Sequence, residues 1–111
     1  MQFQLDREHG LVLQMYRAFA QNEVRPLAKE VDEQERFPLE TVRKMAPLGF
    51  LGIPFPKTYG GQGGDYLAYT LAVEELSKAC GTTGVILSAH TSLCAAPIFE
   101  HGTEEQKQKF L

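Results

Sequence analysis

Residues 53–65 read Ile53-Pro54-Phe55-Pro56-Lys57-Thr58-Tyr59-Gly60-Gly61-Gln62-Gly63-Gly64-Asp65. Prolines lack the backbone donor that regular elements need, and glycines tolerate backbone angles that other residues avoid. No regular element is expected to persist here, so the sequence predicts a surface loop over residues 50–64, called the glycine loop below. The side chain of Asp65 is well suited to cap a helix, and we predict a helix from there through roughly Cys80.

Helical periodicity dominates the chain before the glycine loop. Apolar residues recur there at spacings of three and four, as on the buried face of an amphipathic helix: Val12, Met15, Tyr16, Phe19, Val24, Leu27, Ala28 and Val31. Pro26 lies inside this pattern and removes a backbone donor, so we expect a bend or a break near residues 22–25. A second helix is predicted to begin at Pro38 and to end at Gly49. Pro47, in its last turn, has no explanation.

The chain after the glycine loop is also predicted to be helical. On the helix that follows Asp65, the side chains of Glu74, Glu75 and Lys78 are assigned to the solvent-facing side. A fourth helix, from about Thr83 to Phe99, is apolar nearly all the way round and is therefore predicted to be buried and central. A membrane span is disfavoured because the stretch is shorter than about twenty residues and carries serine, threonine, histidine and proline.

The last segment predicts one further helix. Thr103 and Gln106 have the spacing of a capping box. The chain ends only about two turns into this helix, which we interpret as a cut or as the junction to a further domain. Residues 1–111 are thus predicted to form one all-α domain, a helical bundle of about five to six helices.

Composition excludes several classes of partner. The net charge of -3 and the pI near 5.6 give no electrostatic case for nucleic acid or an anionic membrane surface. The first residues lack the basic and apolar regions of a secretory signal, so an intracellular chain is expected. Cys80 and Cys94 are interpreted as reduced, small, buried apolar residues instead of a disulfide.

Two residue groups suggest chemistry, but neither forms a convincing site. The glycines are not followed by lysine and a hydroxyl residue at the spacing of a phosphate-binding loop, and Tyr66 occupies the third glycine of a dinucleotide fingerprint. His90 and Cys94 share a helix face at i and i+4, like half of a metal site or a nucleophile and its base, but no second pair has ligand spacing. The preferred interpretation of His90 is a histidine packed in the core. The sequence assigns no catalytic, cofactor-binding or metal-binding residue to this chain.

Five segments, taken in order, resemble one known family. They are residues 22–28 (Asn-Glu-Val-Arg-Pro-Leu-Ala), 48–53 (Leu-Gly-Phe-Leu-Gly-Ile), 59–65, 71–77 (Leu-Ala-Val-Glu-Glu-Leu-Ser) and 99–107. Their order and spacing are similar to the amino-terminal helical domain of the acyl-CoA dehydrogenases. Residues 83–93, Thr-Gly-Val-Ile-Leu-Ser-Ala-His-Thr-Ser-Leu, are most similar to the short-chain, butyryl-CoA type.

This resemblance implies an FAD-dependent flavoenzyme that removes the α-proton and a β-hydride from a short-chain acyl-CoA to give a trans-2-enoyl-CoA. It implies an electron-transfer flavoprotein as electron acceptor and a homo-oligomer, commonly a tetramer, for the full-length protein. It places the base, a glutamate, in a carboxy-terminal helical domain and most flavin contacts in a middle β-domain and that same helical domain, both absent from this chain. The 111-residue chain alone is therefore predicted to be inactive. The implied location is the cytoplasm or, for a protein with its presequence removed, the mitochondrial matrix.

The resemblance also assigns a substrate role to the fourth helix. Ile86, Leu87 and His90 occupy positions that in the family face the acyl chain, and bulky side chains there would limit the depth of the pocket. The competing interpretation is that these are ordinary core residues, because a buried apolar helix needs no functional reason to carry leucine. The alternative function is a non-catalytic, free-standing helical interaction module from a truncated relative.

Overall fold

The structure, a computed structural model, describes residues 3–111, and every regular element within that range is helical. Each bound is given in chain order: α1 Arg7–Phe19, a π-helical turn Ala20–Val24, α2 Arg25–Gln34, α3 Leu39–Met45, 3-10 turns Phe50–Gly52 and Lys57–Tyr59, α4 Tyr66–Ala79, α5 Gly81–Ala89, a π-helical turn His90–Ala95, α6 Ala96–His101 and α7 Glu104–Phe110. Because each π-helical turn joins two helices without a break, residues 3–111 contain five continuous helical segments. The predicted all-α bundle is confirmed.

The interruption expected from Pro26 is present as a change of helical pitch. Residues 7–34 remain helical throughout, and Ala20–Val24 adopts the wider π-helical turn, which ends two residues before Pro26. A π-helical turn shifts the hydrogen-bond register by one residue, which accommodates a position that has no backbone donor to offer. Proline at the start of α2 is favourable for the same reason.

The second predicted helix is shorter than expected. It begins after Pro38, as predicted, but α3 ends at Met45 and residues 46–49 form turns. Gly49 follows with φ +86°, a left-handed conformation that glycine adopts without steric cost. Pro47 therefore lies beyond the helix, where it interrupts no helical hydrogen bond, and its position is explained.

The glycine loop is not a simple surface loop, which corrects the prediction. Phe50, Ile53 and Phe55 are buried within it. Three backbone bonds of 2.8 Å fold the loop on itself, donated by the amides of residues 62, 63 and 64 to the carbonyls of residues 52, 55 and 53. A side chain at Gly61 would overlap the Phe55 carbonyl. The glycines are needed because the backbone passes so close to itself.

The core lies where α1, α4 and α5 pack together, with the first 3-10 turn beneath them. Phe50 sits at its centre, with its ring 5.2 Å from that of Tyr16 and 4.8 Å from that of Phe19. Asp65 caps α4 as predicted, since its Oδ1 accepts from the Ala68 amide at 2.8 Å. The capping box of α7 is also confirmed, with Thr103 and Gln106 each bonded to the backbone amide of the other.

Glu75 contradicts the prediction that the acidic side of α4 faces solvent. Its side chain is 4% exposed, whereas that of its neighbour Glu74 is 56% exposed. The Glu75 carboxylate accepts from Arg17 Nη2 at 3.1 Å and from Lys78 Nζ at 3.2 Å. The guanidinium of Arg17, followed by the Lys78 ammonium, holds the pKa of Glu75 below its ordinary value against the opposing effect of burial.

The helical segment over residues 81–101, called the long helix below, is only partly buried. Val85 and Leu93 are exposed on it, so the prediction of a helix covered on every side is wrong for this chain. Cys94 is also exposed and Cys80 is half-buried; both are free thiols. The helix has 21 residues, and by length and composition alone it qualifies as a candidate membrane span. That is weak evidence, because core helices of soluble proteins pass the same test.

Candidate functional site

A cavity of about 410 Å³ lies between the glycine loop, the turn after α3 and the carboxy-terminal half of the long helix. The long helix contributes one wall through residues spaced by four: His90, Cys94 and Ile98. The opposite wall comes mainly from residues 49, 51, 52 and 60–62 and from Phe55, and the end of the chain closes one side with Phe110 and Leu111. The site is therefore built by elements far apart in sequence.

The π-helical turn at His90–Ala95 explains how the long helix presents its wall. In an α-helix, side chains four residues apart drift by roughly 40° around the axis, because each residue advances about 100°. The wider π-helical turn advances less per residue and offsets part of that drift. His90, Cys94 and Ile98 consequently reach the same cavity. For His90 and Cys94, the i and i+4 spacing in the sequence had already indicated a shared helix face.

The cavity is lined mainly by apolar side chains and by four glycines, residues 49, 52, 60 and 61. Within the described residues, its lining contains no lysine, arginine, aspartate or glutamate; the polar side chains are Gln62, His90 and Cys94. An apolar lining with a few polar groups is typical of a small-molecule pocket. Without a cationic side chain, however, this lining offers no charge partner for a phosphate or pyrophosphate. Nor do the described residues contain three or more histidine, cysteine, aspartate or glutamate side chains placed to hold a metal ion.

The three residues predicted for the acyl pocket are placed differently by the structure. His90 lines the cavity. Leu87 is fully buried and belongs to the core beside Leu76 and Ala72. Ile86 is half-buried and lies outside the cavity lining. The structure thus brings one of the three to the cavity.

Sequence reasoning missed the opposite wall of the cavity. Leu51, Phe55 and Gln62 contribute to it, although all three were assigned to a surface loop. Phe55 is the only one of them with a recognisable signal, because a large aromatic residue between two prolines is unusual in an exposed loop. Its ring packs 5.7 Å from that of Phe99 on α6.

An aromatic and charged cluster joins the glycine loop to α7. The Tyr59 hydroxyl donates to both carboxylate oxygens of Glu104, at 2.9 and 2.8 Å. The Lys107 ammonium lies 5.9 Å from the centre of the Tyr59 ring and 5.4 Å from that of Phe99. The hydrogen bond to Glu104 raises the pKa of Tyr59. This cluster stabilises the loop that forms the cavity wall.

Comparison with known proteins identifies the family. The family model described as acyl-CoA dehydrogenase, N-terminal domain, matches residues 6–111. The short-chain specific acyl-CoA dehydrogenase of Clostridium acetobutylicum is 69% identical over 111 residues, which are 100% of this chain and 29% of the relative.

Two solved structures agree. Butyryl-CoA dehydrogenase from Megasphaera elsdenii superposes with a TM-score of 0.90 at 39% identity, over 100% of this chain and 30% of the other. A chain in the structure named for the electron transferring flavoprotein of Acidaminococcus fermentans gives a TM-score of 0.95 at 47% identity, over 100% of this chain and 29% of the other. The chain thus spans less than a third of the proteins it matches, and it belongs to the acyl-CoA dehydrogenase family as an amino-terminal domain.

Proposed function

We propose that this chain is the amino-terminal domain of an FAD-dependent, short-chain acyl-CoA dehydrogenase that converts an acyl-CoA to its trans-2-enoyl-CoA. The observation that carries the proposal is the match to a short-chain specific acyl-CoA dehydrogenase along the whole chain at 69% identity. In this proposal residues 1–111 are one of three domains, and the middle β-domain and carboxy-terminal helical domain belong to the rest of the full-length protein.

The role proposed for this chain is to form one apolar wall of the substrate site. His90, Cys94 and Ile98 line the cavity along the long helix. Val85 and Leu93, on the same helix, are exposed to 66% and 77%. Apolar side chains exposed along one helix are typical of a surface that another protein part covers. A wall of this kind excludes water and favours an acyl chain over a polar ligand.

FAD does not fit the residues of this chain alone. The cavity lining supplies no cationic side chain for the pyrophosphate, and the amides of residues 60–62 already donate to carbonyls of the glycine loop, so these donors do not replace one. FAD is therefore assigned to the full-length protein, held mostly by the other two domains. The base that takes the α-proton is assigned to those domains as well. The contribution of this chain is binding and exclusion of solvent.

The proposed partners follow from the relatives. They are a short-chain acyl-CoA as substrate, an electron-transfer flavoprotein as electron acceptor, and further copies of the full-length protein in a homo-oligomer, with a tetramer expected. The proposed location is the cytoplasm, in keeping with the bacterial relative from Clostridium acetobutylicum. The mitochondrial matrix is the alternative.

The experiment is an anaerobic titration of the full-length protein with butyryl-CoA. We expect the flavin absorbance to bleach and mass spectrometry to detect the enoyl-CoA product. The isolated 111-residue chain, mixed with FAD and passed through a gel-filtration column, should remain colourless and leave butyryl-CoA unchanged. A full-length protein that binds FAD but is reduced by no straight-chain acyl-CoA would contradict the proposed activity. A full-length product that contains no further domain would favour the helical interaction module.

The proposed pocket role of Ile86, Leu87 and His90 has its own test. In the full-length protein, each is replaced by alanine and the ratio of kcat/KM for hexanoyl-CoA over butyryl-CoA is measured. Removing bulk from the end of an apolar pocket shifts such a ratio by roughly 10- to 200-fold. Leu67→Ala, on an exposed part of α4 away from the cavity, is the control. An unchanged ratio for Leu87→Ala would remove Leu87 from the pocket and leave it as a core residue.

A further inference from the structure

One histidine bridges the caps of two helices at the amino-terminal end of the bundle. Asp6 caps α1, with its Oδ1 accepting from the His9 amide at 2.8 Å, and Asp65 caps α4 in the same way. The imidazole of His9 lies between them. Its Nδ1 is 2.7 Å from Asp6 Oδ1, and its Nε2 is 2.8 Å from Asp65 Oδ2 and 3.0 Å from Asp65 Oδ1. The His9 side chain is only 17% exposed.

This arrangement defines the protonation state of His9. A neutral imidazole has one N–H donor, and its other nitrogen is an acceptor. An ionised carboxylate only accepts, so a neutral His9 would direct an acceptor lone pair at one of its two aspartates. The imidazolium donates from both nitrogens and satisfies both contacts. We infer that His9 is held as an imidazolium and acts as a pH-dependent link, called the His9 clasp, between the start of α1 and the end of the glycine loop.

Other charged groups near the clasp are few. Glu8 borders the same surface depression as His9 and Asp65, and Lys57 packs its side chain beside Gly63 at the end of the loop. Tyr16, from the next turns of α1, is uncharged in the neutral range, with a pKa raised by burial and by Asp65. Carboxylates therefore predominate around the imidazole. The hydrogen bonds to Asp6 and then to Asp65 raise the pKa of His9 above its ordinary 6.5.

The direction of the pH dependence follows from linkage. A raised pKa in the folded protein contributes stability that is complete below 6.5 and is lost as the pH rises through the higher folded value. On the acidic side, the pKa values of Asp6 and Asp65 are lowered from 3.8, mainly by the backbone amides that they cap and then by His9. Their contribution is present above 3.8 and is lost as the pH falls through the lower folded values. The clasp is thus closed in mildly acidic solution and opens in alkaline solution.

Opening the clasp affects more than the two caps. Asp65 ends the loop whose residues 60–62 form part of the cavity wall. Gly63 and Gly64 connect that wall to Asp65 and are held by backbone bonds of 2.8 Å to Phe55 and Ile53. Releasing Asp65 from His9 removes the link between α1 and this end of the loop. The inference does not depend on the proposed catalytic activity.

The experiment is hydrogen exchange with mass spectrometry on the full-length protein at about pH 6 and about pH 9. Exchange is measured in peptides covering residues 6–12 and 62–69. Each rate is corrected for the pH dependence of intrinsic amide exchange and normalised to the rate of a core peptide from residues 71–76. In the wild type we expect protection in both peptides to fall together by roughly two- to fivefold at the higher pH, as for a partly exposed ion pair. His101→Gln is the matched control. The His101 side chain is 80% exposed, and its contact with Glu100, at 3.7 Å, is longer than those of His9.

Two variants make the result decisive. His9→Gln cannot donate from both ends, so its protection should already be low at pH 6 and should not fall further. Asp65→Asn keeps an Oδ1 acceptor for the Ala68 amide but removes the negative charge, so the cap remains while the pH dependence in the peptide of residues 62–69 is lost. Constant protection in the wild type, or an undiminished pH-dependent loss in either variant, would overturn the inference.

Discussion

The helix α4 and the long helix are both apolar, but the protein buries them to different extents. On α4 the buried residues form one broad face that includes Leu71, Ala72 and Leu76. The long helix is more apolar in sequence, yet its buried residues form a narrow stripe of mostly small residues at positions 83, 84, 87, 91 and 95. Val85 and Leu93 remain exposed beside it. An apolar helix sequence therefore predicts that the helix surface will be covered. It does not show whether residues of the same chain cover it.

The largest expected effect is on stability, and it distinguishes the buried face of the long helix, which carries Leu87, from the exposed face, which carries Leu93. Leu87→Ala removes a fully buried side chain, so we expect the free energy of unfolding to fall by about 2–5 kcal/mol. Leu93→Ala, at an exposed position, should change it by less than about 0.5 kcal/mol. Urea denaturation of the 111-residue chain measures both. An equal fall in unfolding free energy for the two variants would mean that Leu87 and Leu93 are not buried to different extents.

The close approach of the two helices gives the next effect. A Cβ at Gly84 would overlap the Ser77 hydroxyl and lie 3.0 Å from the Ser77 Cα. Gly84→Ala is therefore expected to cost about 1–3 kcal/mol of unfolding free energy, because it forces α4 and α5 apart. Gly81→Ala meets nothing within 4 Å and should be neutral or stabilising by up to about 1 kcal/mol. If Gly84→Ala were as stable as Gly81→Ala in the same denaturation experiment, the proposed close contact would be wrong.

A smaller effect separates two adjacent glutamates on α4. Glu75→Gln removes a buried charge from its bonds to Arg17 and Lys78, at an expected cost of about 1–2 kcal/mol near pH 7. Glu74→Gln, at an exposed position next to it, should have little effect. The pKa of Glu75 is lowered from 4.5, so its contribution is present above 4.5 and is lost as the pH falls through its folded value.

The pH dependence provides a check within the same experiment. The difference in unfolding free energy between wild type and Glu75→Gln should shrink as the pH falls from about 5 to about 3. A difference that stays constant over that range would show that Glu75 contributes through packing instead of through its charge.

Local features of the fold were predictable from the sequence, and long-range ones were not. Asp65 as a cap, Thr103 with Gln106 as a capping box, and the interruption before Pro26 each depend on residues within one turn. The burial of Glu75 in preference to Glu74 depends on Arg17, which is 58 residues away in sequence. Helical periodicity places position 75 on the face of Leu71, Ala72 and Leu76, but it does not reveal that Arg17 of α1 is there to pair with the carboxylate.

The candidate site divides in the same way. The shared face of His90 and Cys94 followed from their spacing, because it is a property of one helix. The opposite wall, formed by the glycine loop, depends on how Phe55 packs against Phe99 across the fold. Similarly, helix position alone did not reveal that Leu87 faces α4, since a helix that is apolar on all sides gives no preferred direction.

The central claim is that the exposed side of the long helix is the surface on which the rest of the enzyme packs. Cys94, which lines the cavity next to the exposed Leu93 and is itself exposed in this chain, is a natural probe of whether that part of the helix becomes covered. Its alkylation rate is measured by peptide mapping in the 111-residue chain and in the full-length protein. We predict fast alkylation in the chain alone and a rate at least about tenfold lower in the full-length protein, since burial limits the access that a thiol needs to react. Equal rates would contradict the account.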